Sequence, residues 1–154
     1  MHKDELERLM EEYAPVVFRN ALAMCCNVDT AQDITQQTFL LLLEKRPRFS
    51  YREQLLTWLL RTARKVASYE HRKNNSTTLN DISLPPVTDK TAFELLDLLE
   101  GLSEALREVT VLFYVEDMSV DDIARVLGIS RSAVKTRLFR AREALEKMYK
   151  EELL

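Results

Sequence analysis

Between Ser119 and Lys147 the chain reads SVDDIARVLGISRSAVKTRLFRAREALEK, an order few folds accommodate. Ser119 is a good N-cap, Asp121 and Asp122 fall in the first turn after it, and Ile123, Ala124 and Leu127 form an apolar stripe. Gly128 permits a tight turn beside the apolar Ile129, and Ser130 caps a second helix. There Val134, Leu138, Ala141 and Leu145 recur at inward-facing helical spacing, with Arg131, Lys135, Thr136, Arg137, Phe139, Arg140 and Arg142 off the stripe. A short helix, a glycine turn and a longer basic helix predict a helix-turn-helix that binds DNA. A helical hairpin with a solvated basic face is the plainer alternative. It leaves unexplained why Phe139 lies among Lys135, Thr136 and Arg140, where an aromatic suits thymine methyls or sugar edges.

A chain of 154 residues has room for one domain or two small ones. Glycine is scarce and Leu, Ala, Glu and Arg are common, which predicts an all-α protein. No apolar run approaches the length of a membrane span, and the start MHKDELERLMEEY is too charged for a signal or transit peptide. The expectation is a cytoplasmic protein with no direct membrane insertion. Cys25 and Cys26 read as small core residues in a reducing compartment, and His2 and His71 are too isolated to form a site. There is no Gly-rich phosphate loop, nucleophile–base pair, metal-ligand spacing or carboxylate dyad, so neither an enzyme nor a metal or cofactor is expected.

The formal net charge of -3 averages over segregated blocks. From Lys45 to Lys73 the cations Lys45, Arg46, Arg48, Arg52, Arg61, Arg64, Lys65, Arg72 and Lys73 face Glu53 and Glu70; from Asp81 to Asp122 acids dominate; from Arg125 to Lys150 the balance is basic again. Two basic patches predict two nucleic-acid contacts.

Residues 3–13 can form a short amphipathic helix on Leu6, Leu9, Met10 and Tyr13, and Pro15 suits the first turn of a second one reaching Cys26. A third, from about Thr30 to Lys45, has Ala31, Ile34, Thr38, Leu41 and Leu42 as its core face, leaving Asp33, Gln36, Gln37 and Leu40 outside. Leu40 on that polar ridge fits either a protein-binding helix or a wide buried stripe. The loop Arg46 to Tyr51 interleaves cations and aromatics, as single-stranded nucleic acid requires, although Phe49 can equally tuck beneath it. A long helix from Arg52 to Lys73 has Leu55, Leu59, Thr62, Val66 and Tyr69 on one face, Trp58 packed in the core, and Arg61, Arg64, Lys65, Ser68 and Arg72 on a basic surface. Asn74 to Thr91, with Pro85-Pro86 and no sustained period, is a flexible linker. Beyond it come a helix from Ala92 to Leu99 and another, capped by Ser103, to about Val115. The boundaries are therefore 1–74, 75–91 and 92–154.

These stretches together resemble the bacterial RNA polymerase sigma factors of the small extracytoplasmic-function group, in the sigma-70 family. The resemblance rests on Ala31-x-Asp33-Ile34-x-Gln36-x-Thr38-Phe39, Trp58-Leu59 and Arg61-x-Ala63-Arg64 in the first half. In the second it rests on Leu102-Ser103, Arg107, Leu112, Tyr114, Ser119, Ile123-Ala124, Leu127-Gly128-Ile129-Ser130, Val134-Lys135, Arg137-Leu138 and Arg140-Ala141-Arg142. It implies a factor with no reaction of its own, whose first domain (region 2) docks on core RNA polymerase through Asp33, Gln36, Gln37 and Leu40. Arg46, Arg48, Phe49 and Arg52 would capture a flipped base of the downstream promoter element, and Arg61, Arg64, Lys65, Ser68 and Arg72 would hold duplex and melted strand. The second domain (region 4) would read the upstream element, with Lys135, Thr136, Phe139 and Arg140 toward the bases, Arg131, Arg137 and Arg142 mostly on phosphates, and Ser132 also at the DNA. It also implies an anti-sigma factor as partner. Lys65 stands where the family usually has asparagine, and Gln37 where an acid is common. Lys65 favours backbone attraction over an amide contact, and docking survives Gln37 because Asp33, Gln36 and Phe39 are intact. Two other readings remain: a stand-alone helix-turn-helix regulator, which would have no use for the Arg46 to Lys73 surface, and a helical adaptor, which leaves the Lys135 to Arg142 face unexplained.

Overall fold

A computed structural model describes residues 3–73 and 91–153, and every regular element among them is helical. They form two compact units, dividing at Asp89 and Lys90. The residues expected to form the linker lie almost wholly outside the described ones, as do His2 and the side chain of His71.

In the first unit α1 (Lys3–Cys25), α2 (Val28–Lys45) and α3 (Arg52–Lys73) pack pairwise around one core. Val17, Phe18, Leu22, Ile34, Phe39, Leu42, Leu59 and Leu60 are its fully buried centre. Each such side chain contributes about 1.5–3 kcal/mol of burial. The break expected before Pro15 does not occur, and one helix runs through it. Proline removes one helical hydrogen bond and crowds the preceding turn, at about 3 kcal/mol. Burial of Met10, Tyr13 and Ala14 on one side, and of Val17, Phe18 and Ala21 on the other, holds both halves in line. The turn after α1 places Cys25 and Cys26 half-buried at its edge rather than in the core, with Cys26 left-handed at φ 51°.

α2 starts earlier than expected because Asn27 caps it, its Oδ1 accepting from the Thr30 amide at 2.9 Å. Its core face also differs: Thr35 and Phe39 are buried, while Leu41 is only half-buried. The hydroxyls of Thr35 and Thr38 donate to the carbonyls of Ala31 and Ile34, both at 2.7 Å, which lets two polar side chains sit inside. On α3 the buried set is Leu55, Leu59, Leu60, Ala63 and Val66, wider than one stripe because this helix packs against both others. Tyr69, expected on the core face, is exposed one turn beyond Val66.

The second unit comprises α4 (Thr91–Leu99), α5 (Glu104–Thr110), a π-helical turn (Val111–Val115), α6 (Val120–Leu127) and α7 (Arg131–Leu153). The helix expected to run regularly to Val115 thus widens after Thr110. The Glu116 amide reaches back to the Val111 carbonyl at 3.0 Å, and the Met118 amide to that of Leu112 at 3.0 Å. Asp117 then turns left-handed at φ 55°, and Met118 returns to the core. α7 is the hub, packed against α5 and α6. The turn before α5 lies so close to α7 that a Cβ on Gly101 would run into the Met148 sulfur.

Candidate nucleic-acid and polymerase interfaces

Ser119 Oγ accepts from the Asp122 amide at 3.1 Å and opens α6; Gly128, at φ 68°, closes it with its amide on the Ala124 carbonyl at 2.9 Å. No atom lies within 4 Å of a Cβ built on Gly128, so the glycine serves the left-handed backbone and not a lack of space. Ser130 Oγ then accepts from the Ala133 amide at 3.0 Å, starting α7. Val134, Leu138 and Ala141 are buried beneath α7 and Leu145 is half-buried, as the period required.

The opposite side of α7 presents a ridge of Ser132, Thr136, Phe139 and Glu143, all exposed and at helical spacing. Phe139 is 58% exposed at its centre. Arg131, Lys135 and Arg142 line one shoulder; Arg140 and the half-buried Arg137 lie toward the other. The expected DNA-contact set is thus gathered on one helix, with Glu143 an acid that the sequence reading missed. Two shoulder cations have partners on earlier elements. Arg131 Nε is 2.6 Å from Asp121 Oδ1, and Arg142 Nε donates to the Tyr114 hydroxyl.

In the first unit Asp33, Gln36, Gln37 and Leu40 share the α2 face turned away from the core. Asp33 is exposed and the other three half-buried, so Leu40 is a partly covered apolar point on a polar ridge. Exposed Asp29 and Glu44 extend the ridge at either end, acids the sequence reading left out. Desolvation, and then Asp29, push the Asp33 carboxyl above the usual carboxylate range.

The loop between α2 and α3 is tied down more than its composition indicated. Arg46 is the left-handed C-cap of α2 at φ 44°, with its amide on the Leu42 carbonyl and its Nε 3.4 Å from the Leu43 carbonyl. The half-buried Phe49 meets the half-buried Trp58 edge-on, ring centroids 6.3 Å apart. Trp58 is therefore a partly exposed anchor and not a core residue. Arg52 is ion-paired to Glu12, and its Nε donates to the Tyr13 hydroxyl at 3.2 Å. Arg48 is exposed, and so is Tyr51 at 58%, the second aromatic of this loop. On α3, Arg61, Lys65 and Ser68 are exposed and Arg64 is half-buried; the Arg72 side chain lies outside the described residues.

The sigma-70 region 2 family matches residues 9–77, and sigma-70 region 4 matches 92–145. The RNA polymerase sigma factor CarQ of Myxococcus xanthus is 30% identical over 158 residues, covering 95% of this chain and 90% of its own. This chain belongs to the extracytoplasmic-function sigma factors. The ECF sigma factor SigW of Bacillus subtilis is 25% identical over 97% of this chain and 91% of its own. The fold of this sigma factor is also that of the sigma factor RpoE solved with the anti-sigma factor NepR from Bartonella quintana. The TM-score is 0.73 at 20% identity, over 95% of this chain and 97% of that one. CnrH, solved with the cytosolic domain of CnrY, gives a TM-score of 0.69 at 22% identity, over 97% and 90%. The sigma factor is accordingly a non-enzymatic transcription initiation factor. None of its described helices is long and apolar enough to cross a membrane.

Proposed function

We propose that this sigma factor docks on core RNA polymerase through the α2 ridge, reads the upstream promoter element with α7, and opens the downstream element with the Arg46–Tyr51 loop and the basic face of α3. Residues 1–74 act as the docking and melting domain, 75–91 as the linker and 92–154 as the upstream reader, in the cytoplasm. The observation that carries the reading is the exposed ridge of α7, where Ser132, Thr136 and Phe139 stand between cations on both shoulders. A recognition helix needs such an arrangement: short polar and aromatic groups for base edges, with arginines for the flanking phosphates. Exposed Arg48 and Tyr51 beside the basic face of α3 supply charge and a stacking surface for an unpaired strand. An anti-sigma protein is a further partner, by analogy with the complex of RpoE with the anti-sigma factor NepR.

Run-off transcription on a library of random promoters, with purified core polymerase with and without this protein, tests the reading. Specific transcripts only in its presence, enriched for two separated elements, are expected. A shift of duplex DNA by the protein alone, with no transcript, would make it a stand-alone regulator.

On the promoter so obtained, Arg140→Ala should cost about 1–3 kcal/mol of discrimination at one position of the upstream element. A position-by-position preference identical to the parent's removes Arg140 from base reading. The Asp121 carboxylate, half-exposed against Arg131, competes with a DNA phosphate for that guanidinium. An exposed ion pair is worth about 0–1 kcal/mol, so Asp121→Asn should raise holoenzyme affinity about twofold to fivefold at low salt, and less at high salt. Unchanged or weaker binding assigns Arg131 no phosphate.

A further inference from the structure

We infer that Tyr114, on the π-helical turn, is a positioning residue that aims the Arg142 guanidinium at a DNA phosphate. The inference rests on the reading of α7 as the DNA-contacting helix. Tyr114 is 48% exposed, and its hydroxyl accepts a hydrogen bond from Arg142 Nε. The guanidinium carbon lies over the tyrosine ring, 5.9 Å from its centroid, so ring and hydroxyl both face the same arginine. The ring is itself held, edge-on against Phe113, with centroids 5.0 Å apart and planes at 84°. Phe113 is half-buried, which gives Tyr114 a fixed base for an otherwise exposed side chain.

The π turn is what brings the hydroxyl to α7. Val109 and Leu112 are buried on the core side, while within the turn Phe113 is half-buried and Tyr114 and Val115 are exposed. π turns recur where a helix is adapted to a function, since the irregular hydrogen bonding brings no stability of its own.

The chemistry of the contact differs from that of the neighbouring Arg131. Asp121 offers Arg131 a carboxylate, which neutralises its charge. Tyr114 offers Arg142 a neutral oxygen, taking up Nε and leaving the terminal nitrogens and the full positive charge for another acceptor. A long side chain fixed in this way gives up less rotamer freedom when it meets a phosphate, so its contact is stronger without any new charge. With Arg131 and Lys135 on the same shoulder, Arg142 would complete a row of three cations along one DNA strand.

The test is a double-mutant cycle on the assembled holoenzyme, comparing the parent with Tyr114→Phe, Arg142→Ala and the double variant on the selected promoter across a range of salt. Arg142→Ala is expected to weaken binding on every promoter variant and to lower the slope of log affinity against log salt by about one. Tyr114→Phe, which removes only the hydroxyl, should weaken binding about threefold to tenfold, evenly across promoter variants, and lower the same slope. Combined with Arg142→Ala it should have no further effect. A Tyr114→Phe loss that multiplies with that of Arg142→Ala, or leaves the slope unchanged, overturns the positioning role while the α7 reading stands. A silent Arg142→Ala overturns both. Thermal unfolding of each variant separates loss of fold, which does not move a salt slope, from loss of aim.

Discussion

Asp33→Lys combined with Gln36→Ala should weaken association with core RNA polymerase at least about 30-fold, the threshold of a 2 kcal/mol hot spot. Both positions lie on the α2 face opposite the buried Ala31, Ile34, Thr35, Thr38 and Leu42, with Asp33 exposed and Gln36 half-buried, so neither belongs to the buried core. Asp33 is also a mild burden to the free protein. Its carboxyl is held above the ordinary range by desolvation and by Asp29, so its ionised form is less favoured in the fold than in the unfolded chain. That cost is absent at low pH, where both states are protonated, and grows as pH rises through the carboxylate range. Lysine at position 33 ends it and faces Asp29 with an opposite charge. The variant should therefore unfold at the parent's temperature or above it and fail to co-purify with polymerase. Retained co-purification places the docking surface elsewhere.

Phe39→Ala should give the opposite pattern on the same helix. Phe39 is fully buried, among the largest side chains of the first core, and its truncation should cost about 3–5 kcal/mol of stability. Against a typical total of about 5–15 kcal/mol this leaves the unit marginal. The two units need not unfold together, so the probe must report one of them. Trp58 is the chain's one tryptophan and lies in the first unit against Phe49, which makes its fluorescence in a urea titration that probe. A midpoint shift equivalent to less than about 1 kcal/mol would mean that Phe39 is not packed as described. Polymerase docking should be lost only to the extent that α2 is lost.

Asp33 was legible in the sequence as a position outside the core, whereas the burial of Phe39 was not. An exposed ridge and a buried face on α2 follow from helical period, because alternate sides of one helix meet different solvents. The helix-turn-helix was legible for a similar reason. Ser119, Gly128 and Ser130 act through bonds to backbone three or four residues away, so their roles were set by local order alone. Other errors came where a distant contact outweighed a local preference. Pro15 reads as a helix start, yet packing on both sides carries α1 through it. Phe49 had two readings, and its edge-on contact with Trp58 fits the one in which it tucks beneath the loop, while Arg52, assigned only to nucleic acid, is also held by Glu12 and Tyr13. Tyr69 fits a stripe that ends, among the described side chains, at Val66.

By itself, then, the amino-acid order determined an all-helical chain in two units and the cap–turn–cap grammar of α6 and α7, because these depend on spacing along one chain segment. Only the tertiary structure decided the width of the α3 core face, the π turn and the partnering of Arg131 with Asp121 and Arg142 with Tyr114. Each of those depends on where a second element passes, and no periodicity within a single helix encodes that.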